Sequence, residues 1–165
     1  MLGSGGWGKR GTNTFDGSTP WYALYETADH HFMAVGAIEE VFYKQLMAGL
    51  MLDPADWPRK TTEDKERLRA ELSRQFKSQS RDHWTSVFEH TDACVTPVLN
   101  FDEALLHPHH QARGTYTELR DIPQPAPGPR FSRTTLPSPQ PAPNANHDEM
   151  TIRESIARLA ASNDD

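Results

Sequence analysis

Tyr22-Ala-Leu-Tyr-Glu-Thr-Ala-Asp-His-His-Phe-Met-Ala-Val-Gly-Ala-Ile-Glu39 reads as a β-hairpin that delivers a carboxylate to the start of a helix. Tyr22, Leu24 and Glu26 alternate with Ala23 and Tyr25, and Phe32 to Val35 is a short apolar strand. Thr27 to His31 is turn chemistry, with Asp29 as the turn former. Gly36 is expected to free the backbone before Ile38, Phe42, Leu46 and Leu50, which recur every fourth residue as a buried helix face. Glu39 at that junction has two explanations. It is a first-turn acid favoured by the helix dipole, a role Glu40 fills equally well, or it is a site residue held on rigid elements.

Working outward, 165 residues fit one ordinary domain or one small domain with arms. Only 36% of residues are hydrophobic and the mean hydropathy is −0.73, with the deficit concentrated at the two ends. The core is therefore expected in the middle. A net charge of −6 argues against sequence-independent nucleic-acid binding, which needs a basic face. No apolar run approaches a membrane span, and the start, Met1-Leu-Gly-Ser-Gly-Gly6, lacks the basic and apolar regions of a signal peptide. The single cysteine, Cys94, excludes an internal disulfide framework and fits a reducing compartment. Nor is the end of the chain, Ser162-Asn-Asp-Asp165, a Ser-Lys-Leu address. A cytoplasmic protein with no membrane or nucleic-acid partner is the expectation.

Residues 1–20 hold six of the ten glycines and no periodic apolar face, so they read as a linker or arm. Residues 52–60 form a loop punctuated by Pro54 and Pro58. Thr61 with Asp64 matches a capping box opening a helix with Leu68, Leu72 and Phe76 on one face. Ser80 caps another, turning Trp84, Val87 and Phe88 inward. Ala93 to Leu99 reads as a strand in which Pro97 indicates an edge. Asn100 and Glu103 form a second capping box before a short helix at Ala104 to Leu106, and Tyr116 to Leu119 is expected to be the last strand. Eight of the thirteen prolines then fall between Pro123 and Pro143, an extended strap. Ile152, Ile156 and Leu159 mark a lone amphipathic helix that needs something distant to dock on.

His107, His109 and His110, with His147 as a fourth, are the obvious metal suspects. Their spacing suits neither a helix face nor a zinc finger, so a solvated loop or helix cap is the better explanation and no metal is expected. Cys94 lies between Ala93 and Val95, and a free, buried, inert thiol is expected there rather than a nucleophile. The mixed charges from Glu63 to Arg81 are a solvated helix face, and no glycine-rich loop matches a phosphate or dinucleotide cradle.

Several stretches follow in an order that resembles the α-methylacyl-CoA racemases. They are Arg10-Gly-Thr-Asn13, Asp16-Gly17, Pro20-Trp-Tyr22, Tyr25 to Asp29, Met33 to Glu39 and Phe42, then Asp92 to Leu99, Glu103-Ala104, His107-Pro-His109 and Ala112-Arg113. Pro125-Ala-Pro-Gly-Pro-Arg-Phe-Ser-Arg-Thr134 extends the likeness, which covers about residues 10–135. The wider group is the class III CoA-transferase superfamily. The resemblance implies an α/β fold class: a small α/β domain with linker arms, the large Rossmann-like domain being mostly absent. On that scheme residues 1–20 are the first linker, 21–120 the small domain, 121–146 the returning linker, and 147–165 a helix that docks on the large domain. Two complete subunits interlock as a homodimer.

The resemblance also implies a reaction, interconversion of R and S 2-methylacyl-CoA thioesters by removal and return of the α-proton, with the CoA thioester as substrate and no separate cofactor. A His and an Asp serve as the two bases, and none of the eight histidines here matches the family position. Glu39 matches the glutamate that hydrogen-bonds the catalytic histidine; a carboxylate there fixes the imidazole tautomer and favours its charged form. Tyr22 and Ile38 match residues lining the acyl site. Thr14-Phe15 stands where the family often has Met-Leu, so Phe15 belongs to that surface and the threonine weakens it. Asp29-His30 replaces the usual Asp-Gly turn and is strained if φ is positive. The chain alone is expected to be inactive. The rivals are a class III CoA-transferase, which needs no such carboxylate for a histidine, and a non-catalytic association module.

Overall fold

The computed structural model describes residues 7–141 and 149–161. Expectations that fall on residues 1–6, 142–148 and 162–165, His147 as a ligand among them, lie outside the described residues. The chain divides into two compact units, Met1–Leu99 and Asn100–Asp165.

In the first unit the quoted stretch is a hairpin of β1 (Tyr22–Glu26) and β2 (Phe32–Gly36), paired antiparallel from Tyr22 opposite Gly36 to Glu26 opposite Phe32. Asp29 makes the turn by accepting from Thr27 Oγ1 at 2.5 Å, and it also accepts from the Arg81 backbone N–H at 3.2 Å. His30 sits at φ 61°, the anticipated strain, of order 1 kcal/mol. β3 (Val95–Pro97) adds antiparallel to β2, giving the order β1-β2-β3. Pro97 therefore does lie on an edge strand. The strand is shorter than Ala93 to Leu99, because Cys94 adopts φ 52° and cannot be extended. Gly36 needs no special backbone either: it closes β2, with its N–H donated to the Cys94 carbonyl at 2.8 Å.

Alternation sends Tyr25, Met33, Val35 and Val95 to one face, where all are buried. Three helices cover that face. In α1 (Glu40–Gly49) the buried stripe is Tyr43, Leu46 and Met47, continued by Leu50. Ile38 and Phe42 only pack partly against it, because Ile38 precedes the helix and a strict four-residue spacing drifts off one face of a 3.6-residue helix. The loop at 52–60 contains one 3-10 turn, Pro54–Asp56. α2 (Thr62–Phe76) opens with both bonds of the Thr61–Asp64 capping box and buries Leu68, Leu72 and Phe76, as its spacing requires. α3 (Arg81–Phe88) is capped by Ser80 and buries Trp84 and Phe88, with Val87 partly covered.

The second unit begins with α4 (Phe101–Leu106), opened by the Asn100–Glu103 capping box a turn earlier than Ala104. α5 (Pro108–Ala112) follows at once, its first turn capped by His107, whose Nδ1 accepts from the His109 N–H at 3.3 Å. β4 (Tyr116–Leu119) is not the last strand. It pairs with β5 (Ile122–Pro125) through a two-residue turn in which Arg120 and Asp121 both have positive φ, the twist-matched hairpin geometry. Pro123 and Pro125 fit because they occupy alternate positions: the Ala126 N–H points at Thr115 O, so the residues one step out of phase need no donor. Arg130 donates to the carbonyls of Arg113 and Gly114, fastening the proline-rich run to the end of α5. In α6 (Glu149–Ala161) Ile152 and Ile156 are exposed; the Leu159 side chain lies outside the described ones.

Packing at the α1–α3 contact makes one sharp demand. A Cβ on Gly49 would stand 2.4 Å from Phe88 Cε1, and that ring is buried. Gly49→Ala is therefore expected to destabilise the first unit by about 1–3 kcal/mol from overpacking, against a helix-propensity gain of about 1 kcal/mol. A lower urea midpoint at unchanged m-value is the expected readout.

Candidate functional site

The outward face of the sheet is unusually apolar. Tyr22, Leu24 and Phe32 are exposed along it, with Ala34 and Thr96 between them. An open groove of about 480 Å³ runs over this face, bordered by Tyr22, Leu24, Gly36, Cys94 and Thr96, with Asp16 and Gly17 also lining it. A Cβ on Gly36 would lie 3.9 Å from both Tyr22 Cε2 and Cys94 Cβ, in ordinary contact, so glycine leaves the groove floor lower without being required there.

Phe15 reaches this face because the segment before β1 is folded on itself. The Asn13 amide nitrogen donates to Lys9 O at 2.9 Å and Asp16 Oδ2 at 2.6 Å, while its Oδ1 accepts from the Gly8 N–H at 2.6 Å. Asp16 accepts in turn from the backbone N–H groups of Gly11 and Asn13, both at 2.8 Å. The Asn13 side chain, above all, holds the Asp16 carboxyl below its usual range. Arg69 donates to Gly17 O at 2.6 Å and ties the segment to α2. At its tip Phe15 meets the Tyr22 ring edge-on, the centroids 5.5 Å apart.

Glu39 is the N-cap of α1 in extended conformation, φ −69° and ψ 148°, but its side chain caps nothing. Among the described residues no hydrogen bond holds its carboxylate, which is exposed. The first-turn acid next to the helix dipole is Glu40. Ile38 is half-buried against the core rather than on the groove. Thus the structure brings Phe15 and Tyr22 together and keeps Glu39 unengaged at the junction.

Cys94 is exposed, contrary to the expectation of a buried thiol. Ala93 and Val95 are the buried pair, and Cys94 between them, at φ 52° ahead of β3, is turned outward. Its thiol is still pushed up, first by partial desolvation and then by the carboxylates of Glu39 and Asp92. The histidines of the second unit gather as rings, His107 5.5 Å and His109 5.7 Å from His110, with Tyr116 at 5.6 Å. Among the described residues no three groups are placed to hold a metal ion.

A family model described as CoA-transferase family III matches residues 2–149. The chain belongs to CoA-transferase family III. Its relatives in that family include the alpha-methylacyl-CoA racemase of Mus musculus, 40% identical over 149 residues, covering 88% of this chain and 39% of that protein. The Homo sapiens protein of the same name is 42% identical over 122 residues, 72% of this chain and 32% of its own length. A CaiB/baiF CoA-transferase family protein of Caenorhabditis elegans is 37% identical over 107 residues. The chain thus spans well under half the length of these relatives. The family match takes in both Arg10-Gly-Thr-Asn13 and Asp16-Gly17, the residues that build the hydrogen-bonded segment carrying Phe15.

Sequence reasoning missed Arg59. Its guanidinium donates to Ile38 O at 2.9 Å, Ala37 O at 3.4 Å and Glu40 Oε2 at 2.8 Å, from 19 to 22 residues away along the chain. No local pattern marks an arginine between Pro58 and Lys60 as the partner of that junction.

The Cys94 thiol reports on Glu39. Alkylation of Cys94 by iodoacetamide at pH 8 is expected to be slower than that of a free thiol, because less of it is thiolate. Glu39→Gln is expected to quicken it by removing one of the charges that raise the thiol. An unchanged rate means the carboxylate faces elsewhere.

Proposed function

We propose that this chain is the C-terminal part of an α-methylacyl-CoA racemase, an isomerase that interconverts R and S 2-methylacyl-CoA thioesters. The observation that carries this reading is the 40% identity to the mouse racemase across 88% of the chain. The geometry is in keeping with it. A carboxylate presented on a rigid strand-to-helix junction, with no partner of its own among the described residues, suits a histidine brought from another part of the protein. Exposed to water, that carboxylate interacts weakly with anything; enclosed beside an imidazole, it stabilises the charged ring far more. Proton transfer at the α-carbon needs a base poised near neutral pH, and that is what such a pairing tunes.

In this reading Glu39 supports the catalytic histidine, while Tyr22 and Phe15 line the path of the acyl group and Ile38 packs beneath the junction. The two bases belong to the large domain, so the 165 residues supply neither. Residues 1–20 and 121–146 serve as the two linkers around a small domain at 21–120, and 147–165 dock on the large domain of an interlocked, cytoplasmic homodimer. The CoA thioester is the substrate and no further cofactor takes part. Among the described residues no helix is long and apolar enough to cross a membrane.

The C. elegans relative, a CoA-transferase family protein by name, keeps a CoA-transferase as the second reading. The test is exchange at the α-carbon of a 2-methylacyl-CoA in D₂O. The complete protein is expected to incorporate deuterium with no free CoA acceptor, and the 165-residue chain alone is expected to incorporate none. Exchange by the isolated chain overturns the absence of the bases. Acyl transfer between CoA thioesters without α-exchange establishes the transferase instead.

A further inference from the structure

Arg59 is a heavily engaged cation of the first unit, and the side-chain hydrogen bonds it donates all go to the junction at the start of α1. Its guanidinium carbon lies 4.9 Å from the Trp21 ring centroid and 4.1 Å from that of Tyr43, two contacts favourable to a partly desolvated cation. Only 18% of the side chain is exposed. Tyr43 is itself fixed, its hydroxyl donating to Trp57 O at 2.8 Å, and burial pushes that hydroxyl up to about 12. Held between these rings, the guanidinium takes the carbonyls of Ala37 and Ile38 with one nitrogen and the Glu40 carboxylate with the other.

Those acceptors bracket Glu39 on both sides. The Ile38 carbonyl precedes the N-cap, and Arg59 gives this half-buried acceptor a partner from outside the helix. Glu40, half an ion pair, is thereby turned toward the 52–60 loop. Glu39 is left with a fixed backbone and an uncommitted carboxylate. Three donor–acceptor bonds and two ring faces are more than an exposed ion pair needs, since a pair at the surface contributes only about 0–1 kcal/mol.

We propose that Arg59 is a positioning residue of the racemase reaction: by bracing the backbone at Ala37 and Ile38 and drawing Glu40 aside, it sets the direction in which Glu39 meets the catalytic histidine. This rests on the reading of Glu39 given under Proposed function. Lysine cannot replace it, because a point charge lacks the planar fork that reaches two carbonyls and a carboxylate at once.

The test is a double-mutant cycle in the complete protein, with α-deuterium exchange as the assay and amide NMR of the same protein as the structural control. Glu39→Gln is expected to lower kcat. Arg59→Gln is expected to lower kcat on the order of 10- to 100-fold, the effect of a displacement of about 1 Å near a reacting group, with KM unchanged. Arg59→Lys is expected to fall near Arg59→Gln, and the double variant to be no slower than Glu39→Gln alone. In the NMR control, Arg59→Gln shifts the Glu39 amide while those of Leu68 and Phe76 keep their positions. Additive losses in kcat, full activity in Arg59→Lys, or an unmoved Glu39 amide overturns the role of Arg59 and leaves that of Glu39 standing. A Glu39→Gln variant with wild-type kcat overturns the reading of Glu39, and the inference falls with it. Should Arg59→Gln not fold in the complete protein, Glu40→Gln removes one arm of the fork at an exposed position, and a fall in kcat that disappears in the Glu39→Gln background supports the same role.

Discussion

The first unit is organised around the ring of Phe76. It is fully buried at the end of α2, stacked on Tyr25 of β1 at 5.2 Å and met edge-on by Trp84 of α3 at 5.3 Å. Phe88 completes the cluster at 6.2 Å, and the Trp84 indole nitrogen donates to the Phe76 carbonyl at 2.9 Å. Aromatic rings of this size carry much of a small core, and losing one from such a place costs about 3–5 kcal/mol. Because Phe76 requires Tyr25 on the inner face, strand alternation commits Tyr22 and Leu24 to the outer one. The composition of the groove therefore follows from the packing beneath it: a one-residue slip of β1 would bury Leu24 and expose Tyr25.

Two devices then refine that face. Asn13 and Asp16 lock the preceding segment into a turn that lays Phe15 on Tyr22, and Arg59 fixes the strand-to-helix junction. Both work on backbone groups, and both leave a side chain pointing away from the core. The membership in CoA-transferase family III gives these outward groups a meaning that the isolated geometry lacks. An exposed apolar strip beside an unengaged carboxylate suits a site completed by residues from elsewhere, which is the role proposed for Tyr22, Phe15 and Glu39.

Local chemistry was readable in the residues. Both capping boxes, Thr61–Asp64 and Asn100–Glu103, close over three residues, and the spacing of Leu68, Leu72 and Phe76 leaves one helical face to bury. Pro97 announced an edge strand and His30 a strained turn. What was not readable depended on partners distant in the chain or on phase. β5 was hidden because prolines count against a strand, and only pairing with β4 shows that Pro123 and Pro125 both fall where no donor is needed. The apolar neighbours of Cys94 suggest an interior thiol, and only the positive-φ backbone between buried Ala93 and Val95 shows that it faces outward. Arg59 left no mark at all, since its acceptors lie across the 3-10 turn and the first helix. The placement of Glu39 at the start of α1 was legible; the bracing that gives it direction was not.

The central claim is that Glu39 is one half of a pair whose other half is a histidine outside these 165 residues. The most direct measurement is the crystal structure of the complete protein with a 2-methylacyl-CoA bound, read at one distance. A Glu39 carboxylate oxygen is expected within about 2.6–3.2 Å of an imidazole nitrogen that faces the substrate α-carbon. A Glu39 carboxylate that still points into solvent, with that imidazole held by another group, contradicts it.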